Sequence, residues 1–245
     1  MVVECGGMRL MVDAGLSAKQ LCLRMQALGV SPETLDGVLL THEHGDHVRG
    51  LRVFLSKFPK VPVFATRDTQ RVVRMSGIEG GIWKTFEAGQ KFAIGDVEVQ
   101  SFAIQHDAVD PVGFVVESNA KKLGLLSDAG HVTRSVIERL RELDALFVEA
   151  NYDESLLEED VKRPWSIKQR ISSRHGHLSN RQVGELLKEV SHQSLKRVVF
   201  GHLSSDCNQP ELVIRCLGAC LHELGHGHVE LSCATQDQVT GWFDI

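Results

Sequence analysis

The chain has 245 residues, 42% of them hydrophobic and 24% charged, with a formal net charge of −5. That composition supports a sizeable buried core and excludes a disordered tail; the negative balance excludes a uniformly basic nucleic-acid coat but leaves room for a local basic groove. No apolar run approaches the roughly 18 residues that span a bilayer, residues 1–15 lack the basic start and apolar stretch of a secretory leader, and the six cysteines are scattered with no C-x-x-C pair, so a cytoplasmic chain with reduced thiols and no membrane partner is expected.

Arg9 to Val12 reads as a strand ending at Asp13-Ala-Gly15. Ser17 to Leu28 reads as a helix, capped by Ser17, with Leu21, Met25 and Leu28 on one face and Gly29 as its stop. Gly37 to Leu40 is a buried strand running into Thr41-His42, Val48 to Phe58 is helical, and Val61 to Ala65 is another strand. Lys84 to Asp128 is mostly β, with strands at Phe92–Ile94, Val97–Ile104, Gly113–Glu117 and Leu123–Leu126. A helix over Thr133–Leu143 and a strand over Ala145–Glu149 follow. Next come a helix over Asn180–Val190 capped by Ser179 or Asn180, a strand at Val198–Phe200 and a helix over Pro210–Leu224. His228–Ser232 and Val239–Phe243 read as closing strands. No repeat or Pro/Ser-rich linker interrupts the chain, so one domain over 1–245 is expected, with sheets covered by helices on their outer faces.

Twelve histidines are present, and their spacing is not random. Thr41-His42-Glu43-His44-Gly45-Asp46-His47 places three imidazoles and a carboxylate directly after an apolar strand. In a turn or helix start, His42 and His44 can converge on one cation while Asp46 and His47 reach a second. Imidazole and carboxylate donors suit zinc, manganese or iron. Further donors end other strands: His106, Asp128 in Ser127-Asp128-Ala-Gly130, His202, and Asp13. Each alone is weak, because a single histidine after a strand is more often a surface or core residue; together they complete two metal sites.

These motifs resemble the metallo-β-lactamase superfamily of metal hydrolases over nearly the whole chain. The resemblance implies an αββα four-layer sandwich of two mixed β-sheets. It implies that His42, His44 and His106 hold one divalent ion (Zn2+, Mn2+ or Fe2+), that Asp46, His47 and His202 hold a second, that Asp128 bridges them, and that Asp13 supports an imidazole from behind. Asp128 stands where thiolate-using relatives carry cysteine. Two hard cations holding a hydroxide suit phosphodiester hydrolysis. Glyoxalase-like thioester hydrolysis, or hydrolysis of a small or cyclic-nucleotide diester, uses the same ligands and remains the alternative. The segments Glu149-Ala-Asn151, Arg174-His175-Gly176-His177 and Gly201 to Asn208 are similar to those of ribonuclease Z-like and PhnP-like phosphodiesterases, and most of all to the YycJ/WalJ-type exonuclease branch. The branch implies a 5′-to-3′ nuclease acting on DNA ends, with Asp46 and His177 as catalytic groups, His177 as proton donor to the leaving oxygen, and Ser204, Asn208 and His175 near substrate. Branch members open with a Ser/Gly-rich turn of the kind SGSxGN, which is missing here, so an edge strand or an upstream start is expected to be absent.

Lys162 to Arg181 carries six basic residues and no acidic one, with Trp165 among them. Lys168, Arg170 and Arg174 are therefore expected to meet phosphates, with Trp165 placed to stack on a base. A second trio, Arg67, Arg71 and Arg74, fits the solvated face of a helix. His222-Glu223-Leu-Gly-His226 matches the H-E-x-x-H zinc-protease pattern, but Gly225 and Gly227 break the helix that this motif needs.

Overall fold

A computed structural model describes residues 1–245, with twelve strands and nine helices in chain order. These are β1 (Val2–Cys5), β2 (Met8–Val12), α1 (Ala18–Ala27), β3 (Gly37–Leu39), α2 (Gly45–Val48), α3 (Leu51–Lys57), β4 (Pro62–Thr66), α4 (Arg67–Met75), β5 (Ile82–Phe86), β6 (Lys91–Ile94), β7 (Val97–Ala103), β8 (Val112–Ser118), β9 (Lys121–Leu126), α5 (Arg134–Arg139), β10 (Ala145–Glu149), α6 (Glu154–Glu159), α7 (Trp165–Ile171), α8 (Asn180–Val190), β11 (Arg197–Gly201), α9 (Pro210–Glu223) and β12 (Glu230–Cys233). The chain divides into two compact units. The first holds Met1–Ala103, Ala108–Val112 and Val116–Asn119; the second holds Ile104–Asp107, Gly113–Val115 and Ala120–Ile245.

Two mixed sheets carry the strands. One has the order β1-β2-β3-β4-β5, the other β12-β11-β10-β9-β8-β7-β6. In the first, β1 and β2 are antiparallel and β2 through β5 run parallel. In the second, β6 and β7 are antiparallel and β9 through β12 run parallel. Parallel strands need crossover connections, which the helices supply, and they are covered on both faces. That explains their unbroken apolar runs: Val38 and Leu39 in β3, and Leu146 and Val148 in β10, are fully buried.

In the first unit Met11, Val38, Leu51, Phe54 and Val63 form the core. The α1 helix begins where the Ser17 hydroxyl accepts from Gln20 N and stops at Gly29, whose φ of +72° suits glycine. In the second unit α8 starts with a reciprocal cap, Ser179 with Gln182, and buries Val183, Leu186 and Leu187.

Four expectations change. The strand β1 was not foreseen; it pairs with β2 through the Gly6-Gly7 turn, both at positive φ, and forms a sheet edge. The helix expected over Val48–Phe58 is α3, which starts only at Leu51; Val48 closes the short α2, and Gly50 between them is pressed onto the backbone at Ala14 and Leu16, where a Cβ would lie 2.0 Å from Leu16 O. The helix after Thr133 ends at Arg139, since Glu142 turns to positive φ. Val239–Phe243 is not a strand; that segment is irregular, and the Phe243 ring packs under the Arg197 guanidinium at 4.5 Å. The α9 helix ends at Glu223 with Gly225 at φ +78°, so His222 and His226 do not share a helical face.

Candidate metal centre

Parallel strands of one sheet end at the same edge, and most candidate donors stand at or just beyond the C-terminal end of a strand; His177 instead lies in the loop between α7 and α8. In the first unit the chain leaves β3 through Thr41 and turns into α2. Asp13, at φ +57° just beyond β2, organises this turn. Its carboxylate accepts from Thr41 N (2.9 Å), from the Thr41 hydroxyl (2.9 Å) and from His47 Nδ1 (2.8 Å). Since the Thr41 hydroxyl donates to Asp13, its oxygen accepts from His42 Nδ1 at 2.9 Å. Both rings thus carry their proton on Nδ1 and present Nε2 as the lone pair, the arrangement that oriented metal ligands show. The His42 ring lies 4.6 Å from that of His44 and 4.1 Å from that of His47. His47 Nε2 stands 3.6 Å from Asp46 Oδ2. A Cβ at Gly15 would fall 1.4 Å from Asp46 O, so only glycine admits this loop.

In the second unit Asp128 follows β9 and His202 follows β11, both at positive φ, and Glu149 is the last residue of β10. Donor atoms of Asp128, Glu149, His177 and His202 all lie within 4.8 Å of one another. His202 Nε2 is 3.3 Å from Asp128 Oδ1, and His177 Nδ1 is 3.0 Å from Glu149 Oε2. His106 gives its Nδ1 proton to Gly176 O at 3.0 Å, which leaves Nε2 as donor. The Ser127–Gly130 turn seats on the 173–176 segment, where a Cβ at Gly130 would meet Gly176 N at 2.3 Å.

Glu149 is marked in the sequence only as the first residue of the segment Glu149-Ala-Asn151, with no role in the site. It is fully buried, and it accepts from Ala129 N (2.6 Å) and Leu178 N (3.2 Å) as well as from His177. Burial pushes its carboxyl up, but the hydrogen bonds and charges of His177 and His202 outweigh that and hold it at about 2. Burial pushes the His177 imidazolium down; the Glu149 hydrogen bond and the Glu149 and Asp128 charges win, so its pKa stands above the ordinary value. For His106 burial dominates and the pKa falls, which favours the neutral ring a ligand must offer. The signal available in the sequence was a single charged residue closing the apolar run Ala145 to Val148.

These donors fit divalent cations: the set is all imidazole and carboxylate, with no thiolate, and three Nδ1 atoms are held by protein oxygens. Residues 8–203 match the β-lactamase superfamily domain. The chain belongs to this superfamily. Over 221 residues it is 33% identical to exodeoxyribonuclease YycJ of Bacillus anthracis, covering 89% of this chain and 83% of that protein. Among solved structures it resembles the metallo-β-lactamase-fold protein YhfI of Bacillus subtilis, with a TM-score of 0.70 at 16% identity over 96% and 88% of the two chains. It also resembles zinc-bound PqqB of Methylobacterium extorquens, with a TM-score of 0.69 at 19% identity over 95% and 83%. The two mixed sheets with helices are the metallo-β-lactamase fold, and this member is a hydrolase whose donor groups could hold divalent metal.

In this metallo-β-lactamase-fold chain the expected basic segment is largely neutralised. Lys162 pairs with Asp206, Arg163 with Asp160 (2.7 Å) and Asp206 (3.0 Å), Arg170 with Asp107 (2.6 Å) and Arg181 with Glu154 (2.9 Å) and Glu185 (2.7 Å). Lys168 donates to Glu158 O at 2.7 Å. The carboxylates come from outside the segment, so the sequence window hid them. Arg174 and His175 are exposed, and Trp165 is 69% exposed. Ser204 caps the turn to Cys207 N at 3.2 Å. Asn208, expected near substrate, is buried, and its amide bonds Ala150 O (2.7 Å), Asn180 (2.9 Å) and Gln209 N (2.9 Å), so it pins the β10 exit to α8 and α9. No helix is long and apolar enough to cross a membrane.

Proposed function

We propose that this chain is a two-metal phosphodiesterase that shortens DNA from its ends in the 5′-to-3′ direction. His42, His44 and His106 would hold one cation and Asp46, His47 and His202 a second, with Asp128 a donor to both, in a single catalytic domain over 1–245. The observation that carries this reading is the Asp128–Glu149–His177–His202 cluster, in which a carboxylate proposed as a ligand sits beside an imidazole that a buried glutamate holds by Nδ1 and whose pKa it raises. An alkoxide leaving from phosphorus needs such an acid. The 33% identity to a protein named exodeoxyribonuclease supports DNA as substrate, and the polarity rests on the likeness to that branch.

Divalent cations bound at these donors would supply an activated water near neutral pH and offset charge gathering on the phosphate. The chain's own residues do the rest. Asp13 and Thr41 fix the His42 and His47 rings so that their Nε2 lone pairs need no reorganisation. Glu149 holds His177 by Nδ1, leaving the Nε2 proton as the one to transfer to the leaving oxygen. Arg174, the one basic residue of its segment with neither a carboxylate nor a carbonyl partner, takes a substrate phosphate together with His175.

The test is turnover of bis(p-nitrophenyl) phosphate and of duplex DNA labelled at either end, by one metal-loaded preparation, with Asp46→Ala as control. Metal-dependent release of nucleotides from the 5′ end, lost in the control, is the expected result. Cleavage of the small diester without shortening of DNA would overturn the nuclease reading, and release from the 3′ end would overturn the polarity.

A further inference from the structure

The sequence marks Arg170 as a phosphate contact, but its partners point inward. Arg170 Nε donates to Asp107 Oδ2 at 2.6 Å, and the other oxygen of that carboxylate lies 3.4 Å from His106 Nε2. Two further bonds join the same segments: Asp107 N to His175 O at 3.0 Å, and His106 Nδ1 to Gly176 O at 3.0 Å. The 170–177 segment is itself closed by Gly176 N to Ser173 O (3.0 Å) and His177 N to Ile171 O (2.9 Å). It folds so tightly that a Cβ at Gly176 would stand 2.1 Å from Ile171 O. The end of α7 and the loop bearing His106 are therefore one braced piece.

We infer that Arg170 is a positioning residue for the metal centre: through Asp107 it fixes the environment of His106 Nε2, and it does not serve as a DNA contact. The inference rests on the proposed role of His106 as a ligand. Gly176 O orients the ring from one nitrogen, and the Asp107 carboxylate places negative charge beside the other, where a cation is favoured. Asp107 is exposed at the surface, and its side chain has rotamers that face water. The guanidinium holds it in the one that faces His106. A lysine in place of Arg170 retains the charge without the Nε donor, so it is not an equivalent brace.

The experiment is zinc titration of the full-length chain against a competing chelator, paired with DNA binding by fluorescence anisotropy in EDTA. Arg170→Ala is expected to weaken zinc binding about 10- to 100-fold, the range seen when partners of a ligand are removed, and to leave the Kd for DNA within about twofold. Asp107→Asn is expected to reproduce the zinc defect, and the double variant to be no worse than Asp107→Asn, since both changes break one linkage. Arg174→Ala is expected to do the reverse: weaker, less salt-dependent DNA binding with unchanged zinc affinity. If Arg170→Ala unfolds, Asp107→Asn and Arg170→Lys decide the matter in its place. Unchanged zinc affinity in Arg170→Ala, with a DNA defect like that of Arg174→Ala, would overturn the inference. His106→Ala separates the two layers: if it binds zinc like the wild type, the ligand assignment itself fails.

Discussion

Glu149 offers the sharpest test of how the second unit is built. Its carboxylate is fully buried, and four groups converge on it: Ala129 N, Leu178 N, His177 Nδ1 and, at 3.6 Å, His202 Nδ1. Glu149→Ala leaves two backbone donors buried without an acceptor and two imidazoles without their counter-charge. Each orphaned donor costs about 1–3 kcal/mol, and breaking a buried charged pair costs about 3–5 kcal/mol. Because these overlap, we expect a loss of about 4 kcal/mol, or about 10 °C in melting temperature for a chain of this size. Glu149→Gln keeps an oxygen for Ala129 N and Leu178 N but loses the charge facing His177. We expect it to cost only about 1–2 kcal/mol while lowering the His177 pKa, because burial then acts unopposed by the Glu149 charge. The measurements are thermal melts in EDTA and an NMR titration of the histidines. If both variants melt within about 2 °C of the wild type, or if the His177 titration does not move in Glu149→Gln, the buried-counter-ion account is wrong.

His177→Ala should slow DNA hydrolysis by about 10²- to 10⁴-fold, yet change turnover of bis(p-nitrophenyl) phosphate by less than about tenfold, because its leaving group needs no proton; equal losses on both substrates would make His177 a structural or ligating residue instead. Asp13→Asn should preserve the fold, since asparagine tolerates the positive φ at this position, but cut zinc affinity about 10- to 100-fold by removing the carboxylate behind His47; chelator competition reads this, and undiminished affinity refutes it. Asp144 is pushed up by burial and, more strongly, held down by hydrogen bonds from Lys121 and Lys122 N, so its net pKa lies below the ordinary carboxylate value. A depressed carboxylate stabilises the fold above its unfolded pKa and loses that contribution as pH falls through the lower folded value. Urea unfolding should therefore show Asp144→Asn about 1 kcal/mol less stable than wild type at pH 7 and nearly equal to it at about pH 2; a gap of the same size at both pH values would refute the assignment.

The fold was most legible where one local signal was sufficient. Strand β10 needed only its unbroken apolar run, and α8 only its serine cap and its apolar face. The errors fall where a distant backbone decides. Nothing in the sequence near Arg49 says that Gly50 will be pressed against Leu16 O just before α3 begins. Val239–Phe243 alternates like a strand but is irregular, and the Arg197 guanidinium over the Phe243 ring is one contact that holds it. The Gly6-Gly7 turn is the exception: it is a local hairpin signal beside β1, and it was overlooked.

The same division explains the candidate site. Candidate metal ligands announce themselves when several imidazole and carboxylate donors recur at short spacing, so His42, His44 and His47 stand out in one glance along the chain. Their supports do not. Glu149 is 28 residues from His177 and 53 from His202 in sequence, and a lone glutamate ending a strand has no spacing to betray it. The basic segment shows the opposite failure. Charge counted within a window ignores partners beyond it, and Asp107, Glu154, Asp160 and Asp206 lie outside the window that made residues 162–181 look uncompensated. Arg170 then changes meaning altogether: the residue that read as a hand held out to phosphate is occupied by an aspartate next to His106. A group whose charge is already engaged at 2.6 Å has to give up that partner before it can bind DNA, and Arg174 does not. That difference orders the two arginines. Arg174 is the one to mutate for substrate affinity, Arg170 the one to mutate for metal affinity, and an exchange of those two phenotypes would show that the ion pair opens when DNA arrives.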